Sequence, residues 1–456
     1  MSMQSTEERG YWGSRLGFIL AASGSAVGLG NIWRFPYMTG ENGGAAFVFV
    51  YLMCVILIGL PLLINELALG RASGKNPVGA FRATMPGTPF VLTGFLCVIL
   101  CFVVLSYYSV VAGWTLGYAV SSAMGKSLVF EDFVRNPLYM ILLLGVFLVF
   151  TILIVQAGVQ KGIERWSKIL MPLLLVLVIV IIARSITLSG AMEGVVYYLK
   201  PDFSIISGDK AGDMVLAALG QAFFSLSVGW GLMITYGSYM PKGQNMVTGG
   251  VWVAFTDSLV AILGGFMIFP AVFAFGMEPD SGSKLVFETL PAVFAQMPAV
   301  GGLVATIFFF LLSLAALTSS ISMLEVPISY ILDEKKASRK AASWIVGVFA
   351  FLVGIPCALS HGSVGFLTEL ELFGKTGFMD IIDFVFGQIL VVVISLLCSI
   401  YVGWIWKTKN AVQEIAVGSP GFAKGGGFSL SVVWSFFVKF VCPVVIGYVL
   451  YTKLWS

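Results

Sequence analysis

Only 11% of the 456 residues are charged, and there is a single histidine. Soluble domains carry roughly 25% charged residues, so a water-facing globular fold is excluded. An intramembrane hydrolase needs a nucleophile with a base. Ser319 and Thr318 have no histidine near them in sequence, and the lone His361 falls at a loop edge. The six cysteines (Cys54, Cys97, Cys101, Cys357, Cys398 and Cys442) all lie in apolar runs. They show neither a metal spacing nor a disulfide framework and read as small buried hydrophobes. The formal net charge of +3 is too small to imply a nucleic-acid partner. Low-complexity tracts are missing. So is a cleavable signal: Glu7, Glu8 and Arg9 precede a run that continues well past any short h-region.

What is there is hydrophobic: 58% of residues, at a mean hydropathy of +0.97. A membrane span needs about 20 apolar residues. Eleven are expected, at 12–37, 42–70, 89–124, 137–156, 163–186, 213–240, 246–276, 299–332, 341–360, 377–406 and 429–452. Those at 89–124 and 299–332 are long enough to tilt or protrude. Lysine and arginine divide sixteen against eight between the two sets of loops. The richer side is expected to be cytoplasmic. That places the N-terminus inside and the C-terminus outside a multi-pass protein of the cell (inner) membrane, in contact with lipid. The loops at 187–212 and 277–298 are too short to fold alone, but each has room for a small helix.

Two spans are broken. "GSAVGLGNIWRFP" (Gly24–Pro36) and "FFSLSVGWG" (Phe223–Gly231) set glycines and polar residues inside apolar helices. The two interruptions are five spans apart. This fits two five-span repeats, 12–186 and 213–406, plus one extra helix at 429–452, in a single transporter domain over 1–456. Paired interrupted spans point to a transporter binding site, because unwound backbone at membrane depth must line a cavity or be buried in protein. A break at Gly28–Gly30 frees N–H groups that attract a carboxylate. Carbonyls near Gly24 to Val27, with the Asn31 amide, suit a hard cation such as Na⁺. Close helix packing through small residues accounts for neither Asn31 nor the second break. Polar broken helices also line channels. Val104, Phe224, Trp230 and Met323 argue instead for a closed apolar pocket. An amino-acid-gated channel or a sensor on the same fold stays open as the alternative.

The stretches "RLGFILAASGSAVGLGNIWRFPY", "ENGGAAFVFVYL", "GLPLLINELALGR", "KGIERWSKILMP" and "LTSSISM" resemble the neurotransmitter:sodium symporter family, in its bacterial amino-acid branch. The resemblance covers nearly the whole chain. It implies an all-α membrane protein of the LeuT-type inverted-repeat fold, with 11 spans of which the first and sixth are broken. The activity implied is sodium-coupled symport of an amino acid by alternating access, with two Na⁺ as coupling ions and no organic cofactor. By the same resemblance, one sodium is held at Ala26, Asn31, Ser225 and Asp257. The other is held at Gly24, Val27, Ala315, Thr318 and Ser319. The substrate carboxylate meets Leu29, Gly30 and Tyr108. Its amine meets carbonyls near Ala26, Phe224 and Ser227, close to Ser225. Its side chain meets Val104, Phe224, Trp230, Ser319 and Met323.

Monoamine members of the family carry Asp where this chain has Gly28, so a substrate with its own carboxylate is implied. Asp257, near Tyr51, Gln221 and Ser225, stands where chloride is needed in animal members, which implies chloride independence. Arg34 and Asp383 match an outer gate. Arg9 and Asp333, with Trp12 beneath, match an inner one. Glu66 is expected to accept bonds from the unwound backbone of span six. Glu325 is open between a structural bond and proton coupling, and Lys439 between snorkelling and facing a partner chain. Gly162 and Pro172 both disfavour continuous helix. They mark a place where span five can unwind, and Gly162→Ala is expected to favour the wound form.

Overall fold

The computed structural model describes residues 10–204, 211–277, 284–297, 300–424 and 429–455. Among them, nine helices are long and apolar enough to cross a membrane. They are span two (Ala45–Ser73), three (Val91–Ala123), four (Pro137–Val155), five (Val159–Ser185), seven (Met246–Ala274), eight (Gly301–Lys335), nine (Arg339–Leu359), ten (Phe378–Ile405) and eleven (Leu430–Trp455). Span one is a bent pair, Arg15–Ala26 and Gly30–Glu41, turning by 53° at the break. Span six is a second pair, Ala211–Ser225 and Leu232–Ser238. With these two broken spans, the described residues hold eleven, and the chain is a multi-pass membrane protein.

Helix starts are fixed locally. Ser14, Asn136, Asn245 and Ser338 each accept a backbone N–H three residues on, which satisfies a donor the helix itself cannot. Packing is set by small residues. A Cβ at Gly237 would sit 2.6 Å from the Leu67 carbonyl oxygen, so span six's inner half lies directly on the backbone of span two. At 33 and 35 residues, spans three and eight run roughly 50 Å at 1.5 Å per residue. They overrun the apolar layer and carry the site between them.

The expected loop helices are present, at Ala191–Leu199 and Leu285–Ala295. Other features leave no mark in the sequence. Short helices at Pro77–Thr84 and Thr408–Gly418 lie between spans. A two-residue antiparallel pair, Glu371–Leu372 with Lys375–Thr376, interrupts the helical fold. Stretches of π-helix fall in spans one, two, five, ten and eleven. Lys439 sits 4.4 Å from the Trp404 ring centroid and 5.3 Å from that of Phe440. A cation over an aromatic face is held at modest desolvation cost.

Candidate functional site

The first helix stops at Ala26. Val27 turns to extended backbone (φ −72°, ψ 107°), and a π-helical stretch resumes at Gly30–Arg34. In span six the helix ends at Ser225. Ser227, Gly229 and Gly231 then take φ of 55°, 84° and 75°, a region glycine enters without a Cβ penalty. Glu66 steadies the gap. Its Oε1 accepts the Gly229 N–H at 2.6 Å, as expected.

Between the two breaks lies a cavity of about 20 Å³, lined by Ser25, Ala26, Gly28, Gly30, Tyr108, Phe224, Ser227, Trp230, Leu232, Ser319 and Met323. That is room for about one water. Eight of the residues expected to touch a substrate line it. Leu29 and Val104 line a larger cavity above it instead, and Ser225 lies among the polar groups behind. Ser25 and Leu232 are additions. The Ser25 carbonyl accepts from the Ser227 hydroxyl at 3.0 Å and from Ser319 at 3.3 Å. A substrate ammonium is chemically suited to replace those donors. The sequence signal for Ser25 is its place one residue before Ala26 in the break. At the opposite wall, the Leu29 N–H donates to the Tyr108 hydroxyl at 3.3 Å. Among the described residues, no charged side chain lines this cavity.

Two oxygen clusters flank it. In the first, the Asn31 amide nitrogen donates to Asp257 Oδ1 at 2.7 Å and to Ser225 at 3.0 Å. Ser225 and Tyr51 donate to Asp257 Oδ2 at 2.7 and 3.3 Å. All four are buried. In the second, Thr318 Oγ1 meets the carbonyls of Val27 (3.4 Å) and Ala315 (2.9 Å), and Ser319 Oγ meets Val27 at 3.4 Å. A Cβ at Gly24 would lie 3.3 Å from both Thr318 Cβ and Met171 Sδ. Met171, immediately before Pro172, therefore covers this cluster from span five. Both donor sets are neutral oxygens with at most one carboxylate, which is chemistry that fits Na⁺.

Phe224 roofs the small cavity and floors the larger one, of about 380 Å³, where Arg34, Asp383 and Lys453 lie. The expected pairing of Arg34 with Asp383 does not occur in this state. Arg34 donates to Gln221 at 2.9 Å, and its guanidinium stands 5.2 Å from the Phe224 ring centroid. Gln221 in turn donates to the Gly30 carbonyl at 2.9 Å. Asp383 accepts from Tyr107 and Gln388, both at 2.8 Å. Tyr107 and Gln388 carry no motif that would have singled them out. Arg34→Ala is expected to speed outward escape of bound substrate by at least tenfold. A charge-assisted bond is worth about 1.5–3 kcal/mol, and tenfold corresponds to about 1.4 kcal/mol. Substrate dissociation measured on the purified mutant checks it, and a wild-type rate would show the arginine to be dispensable.

The opposite end is packed. Trp12 donates from Nε1 to the Tyr236 carbonyl at 2.9 Å and stacks edge-on with Phe18, Tyr236 and Tyr239. Asp333 accepts from the Asn76 N–H and amide, each at 2.8 Å. Arg9 lies outside the described residues. Glu325 is bound by Arg339 at 2.7 and 3.0 Å and by Tyr239 at 2.5 Å, a buried ion pair. His361 packs edge-on against Trp114 at 4.8 Å. Burial there holds its imidazole below the usual range.

Span five requires a correction. It is helical throughout, but the stretch Val159–Glu164 around Gly162 is π-helix. A Cβ at Gly162 would overlap the Ile154 carbonyl at the end of span four. Gly162→Ala therefore introduces a backbone clash, and the expectation that it favours the wound helix does not hold.

A membrane bundle with two broken helices around a small closed cavity, flanked by oxygen clusters, defines an ion-coupled transporter. The profile of the Sodium:neurotransmitter symporter family matches residues 9–136 and 134–456. This chain belongs to that family. It is 41% identical to the sodium-dependent transporter YhdH of Bacillus subtilis (strain 168) over 95% of each chain. It is 35% identical to a sodium-dependent transporter of Haemophilus influenzae, over 98% of this chain and 99% of the relative. The crystal structure of MhsT in complex with L-phenylalanine superposes with a TM-score of 0.87 at 41% identity, covering 98% of this chain and all of MhsT.

Proposed function

We propose that this protein imports neutral, hydrophobic L-amino acids with sodium by alternating access, using two Na⁺ sites and no chloride. The observation that carries the reading is the cavity between the breaks. It offers a hydroxyl and N–H wall on the Tyr108 side and the Ser25 carbonyl on the other. Its remaining walls include Phe224, Trp230 and Met323, with no fixed charge. A zwitterion with an apolar side chain matches those walls. The relative solved with L-phenylalanine supports the same class. At about 20 Å³ the cavity must widen to admit any of them. Met323 is flexible and polarizable, which suits ligands of different size.

The two repeats (12–186 and 213–406) and the extra helix at 429–452 are part of this reading. So are the cytoplasmic N-terminus and the location in the cell membrane. One Na⁺ is assigned to Ala26, Asn31, Ser225 and Asp257, next to the substrate carboxylate. The second is assigned to Gly24, Val27, Ala315, Thr318 and Ser319. Asp257 supplies the negative charge that would otherwise come from chloride. The test is sodium-dependent binding competition with all twenty amino acids. Leucine, phenylalanine and tryptophan are expected to compete, and lysine and glutamate to fail. Equal competition by lysine would overturn the substrate class. Accumulation against the amino-acid gradient in vesicles given an inward-directed sodium gradient distinguishes a symporter from a channel or sensor.

Inward release is assigned to span five. Pro172 leaves the Lys168 carbonyl without its helical donor, and Met171 covers the second cluster. Unwinding between Gly162 and Pro172 withdraws Met171 and lets water reach that sodium. Pro172→Ala restores the missing donor and is expected to slow transport severalfold, with equilibrium amino-acid binding within about twofold of wild type. An interior proline opposes helix by ~3 kcal/mol, so the direction is toward the wound form. Unchanged transport would place the inward pathway elsewhere.

A further inference from the structure

Glu164 is a buried carboxylate that no part of the transport site uses. It closes the π-helical stretch Val159–Glu164 and is only 3% exposed. Its partners come from two helices. Oε2 accepts the Gly13 N–H at 2.7 Å, and Oε1 accepts the Ser14 hydroxyl at 2.8 Å. Lys168, one turn further along span five, donates to Oε1 at 2.6 Å. Ser14 is itself the cap of span one, its Oγ accepting the Gly17 N–H at 3.0 Å. The approach is tight. A Cβ at Gly13 would lie 3.2 Å from Oε2, and one at Gly17 would overlap the carboxyl group. The two glycines let a carboxylate of span five rest on the backbone that opens span one.

The opposite side of the same segment is held by span six. The Trp12 N–H donates to the Tyr239 carbonyl at 3.1 Å, and its indole to Tyr236 at 2.9 Å. The start of span one is thus fixed from two directions. One of the two anchors lies between Gly162 and Pro172, the stretch assigned above to unwind. A side chain on an unwinding segment cannot keep three short, directional bonds, because hydrogen bonds weaken steeply as distance and angle depart from the optimum.

We propose that Glu164 is a positioning residue that clamps the start of span one to span five. Unwinding of 162–172 then frees both helices in one step. The proposal rests on the inward-release reading above. In this mechanism the second sodium does not leave through span five alone. Its loss loosens span five, Glu164 withdraws from Gly13 and Ser14, and the Trp12 contacts to span six then hold that segment from the other side. Lys168 holds the carboxylate from its own helix at 2.6 Å, but it does not touch span one.

Hydrogen–deuterium exchange on the purified full-length protein in lipid nanodiscs tests this. Two segments are followed, 12–20 and 160–172, with and without sodium. In the wild type both are expected to lose protection together when sodium is removed. Glu164→Ala should raise exchange in 12–20 at least tenfold even in saturating sodium, with amino-acid binding retained. Glu164→Gln keeps the side-chain shape but removes the charge, so it should show a smaller rise in the same segment. Lys168→Ala leaves the bonds to Gly13 and Ser14 in place and should leave 12–20 protected. If 160–172 opens on sodium removal while 12–20 in Glu164→Ala exchanges as in wild type, the clamp is overturned and the release reading stands. If 160–172 never loses protection in wild type, the release reading fails, and the coupling of the two helices fails with it.

Discussion

Asp257→Ser is expected to lower apparent sodium affinity by tenfold to a hundredfold and to make the remaining transport respond to chloride. The carboxylate is fully buried and is the acceptor for Asn31, Ser225 and Tyr51. Serine is shorter and brings a donor of its own. It leaves at least one of those buried donors unsatisfied, at roughly 1–3 kcal/mol each. It also removes the negative charge that would offset the proposed sodium. About 1.4 kcal/mol is tenfold, so loss of one bond alone reaches the lower figure. An added chloride ion would restore the charge but not the tether to the helix. Partial rescue is therefore the expected outcome. Sodium titrations of transport in chloride and in gluconate check it. A wild type that itself needs chloride, or a mutant indifferent to it, would remove Asp257 from the ion site.

Gly28→Ala is expected to abolish amino-acid binding while the protein still folds. A Cβ at this position would stand 2.5 Å from Ser319 Oγ and 3.0 Å from the Tyr108 hydroxyl. Both hydroxyls face the small cavity. The backbone at Gly28 is not in the left-handed region, so alanine meets no conformational barrier there. Its only penalty is spatial. The methyl takes the place between Tyr108 and Ser319 that the proposed substrate carboxylate needs, and it cannot accept the Leu29 N–H. Losing one charge-assisted and one neutral bond removes roughly 2–4 kcal/mol, or at least thirtyfold in affinity. Equilibrium binding of a labelled hydrophobic amino acid measures it, with thermal unfolding as the control for folding. Binding within threefold of wild type would move the carboxylate away from Gly28.

The eleven spans were legible because a bilayer requires about 20 apolar residues per crossing. Composition alone reports that requirement. Nearly every boundary fell within a few residues of the observed helix. Both broken spans were also visible, since two glycine- and serine-rich interruptions five spans apart, one of them carrying Asn31, go beyond what close helix packing by small residues explains. The site behind them was less visible. Tyr107 and Gln388 carry no motif, and Tyr107 reaches Asp383 across 276 residues of sequence. The state of the outer gate was invisible as well. Arg34 and Asp383 could be named from the family resemblance. Whether they touch depends on how far spans one and ten have moved.

Sequence alone determined that this chain crosses the membrane, that spans one and six are interrupted, and that no ionised group falls at the position of Gly28. These are properties of local composition, and they hold in any conformation. Tertiary structure decided the rest. It brought Asn31, Ser225, Tyr51 and Asp257 into one buried cluster, and it set Met171 over Gly24. It also pressed Gly162 against the Ile154 carbonyl, so a substitution that helix propensity favours is forbidden by packing. The physical reason is that propensity acts on a residue and its immediate neighbours. A clash, a shared proton or an enclosed volume exists only where two distant segments meet.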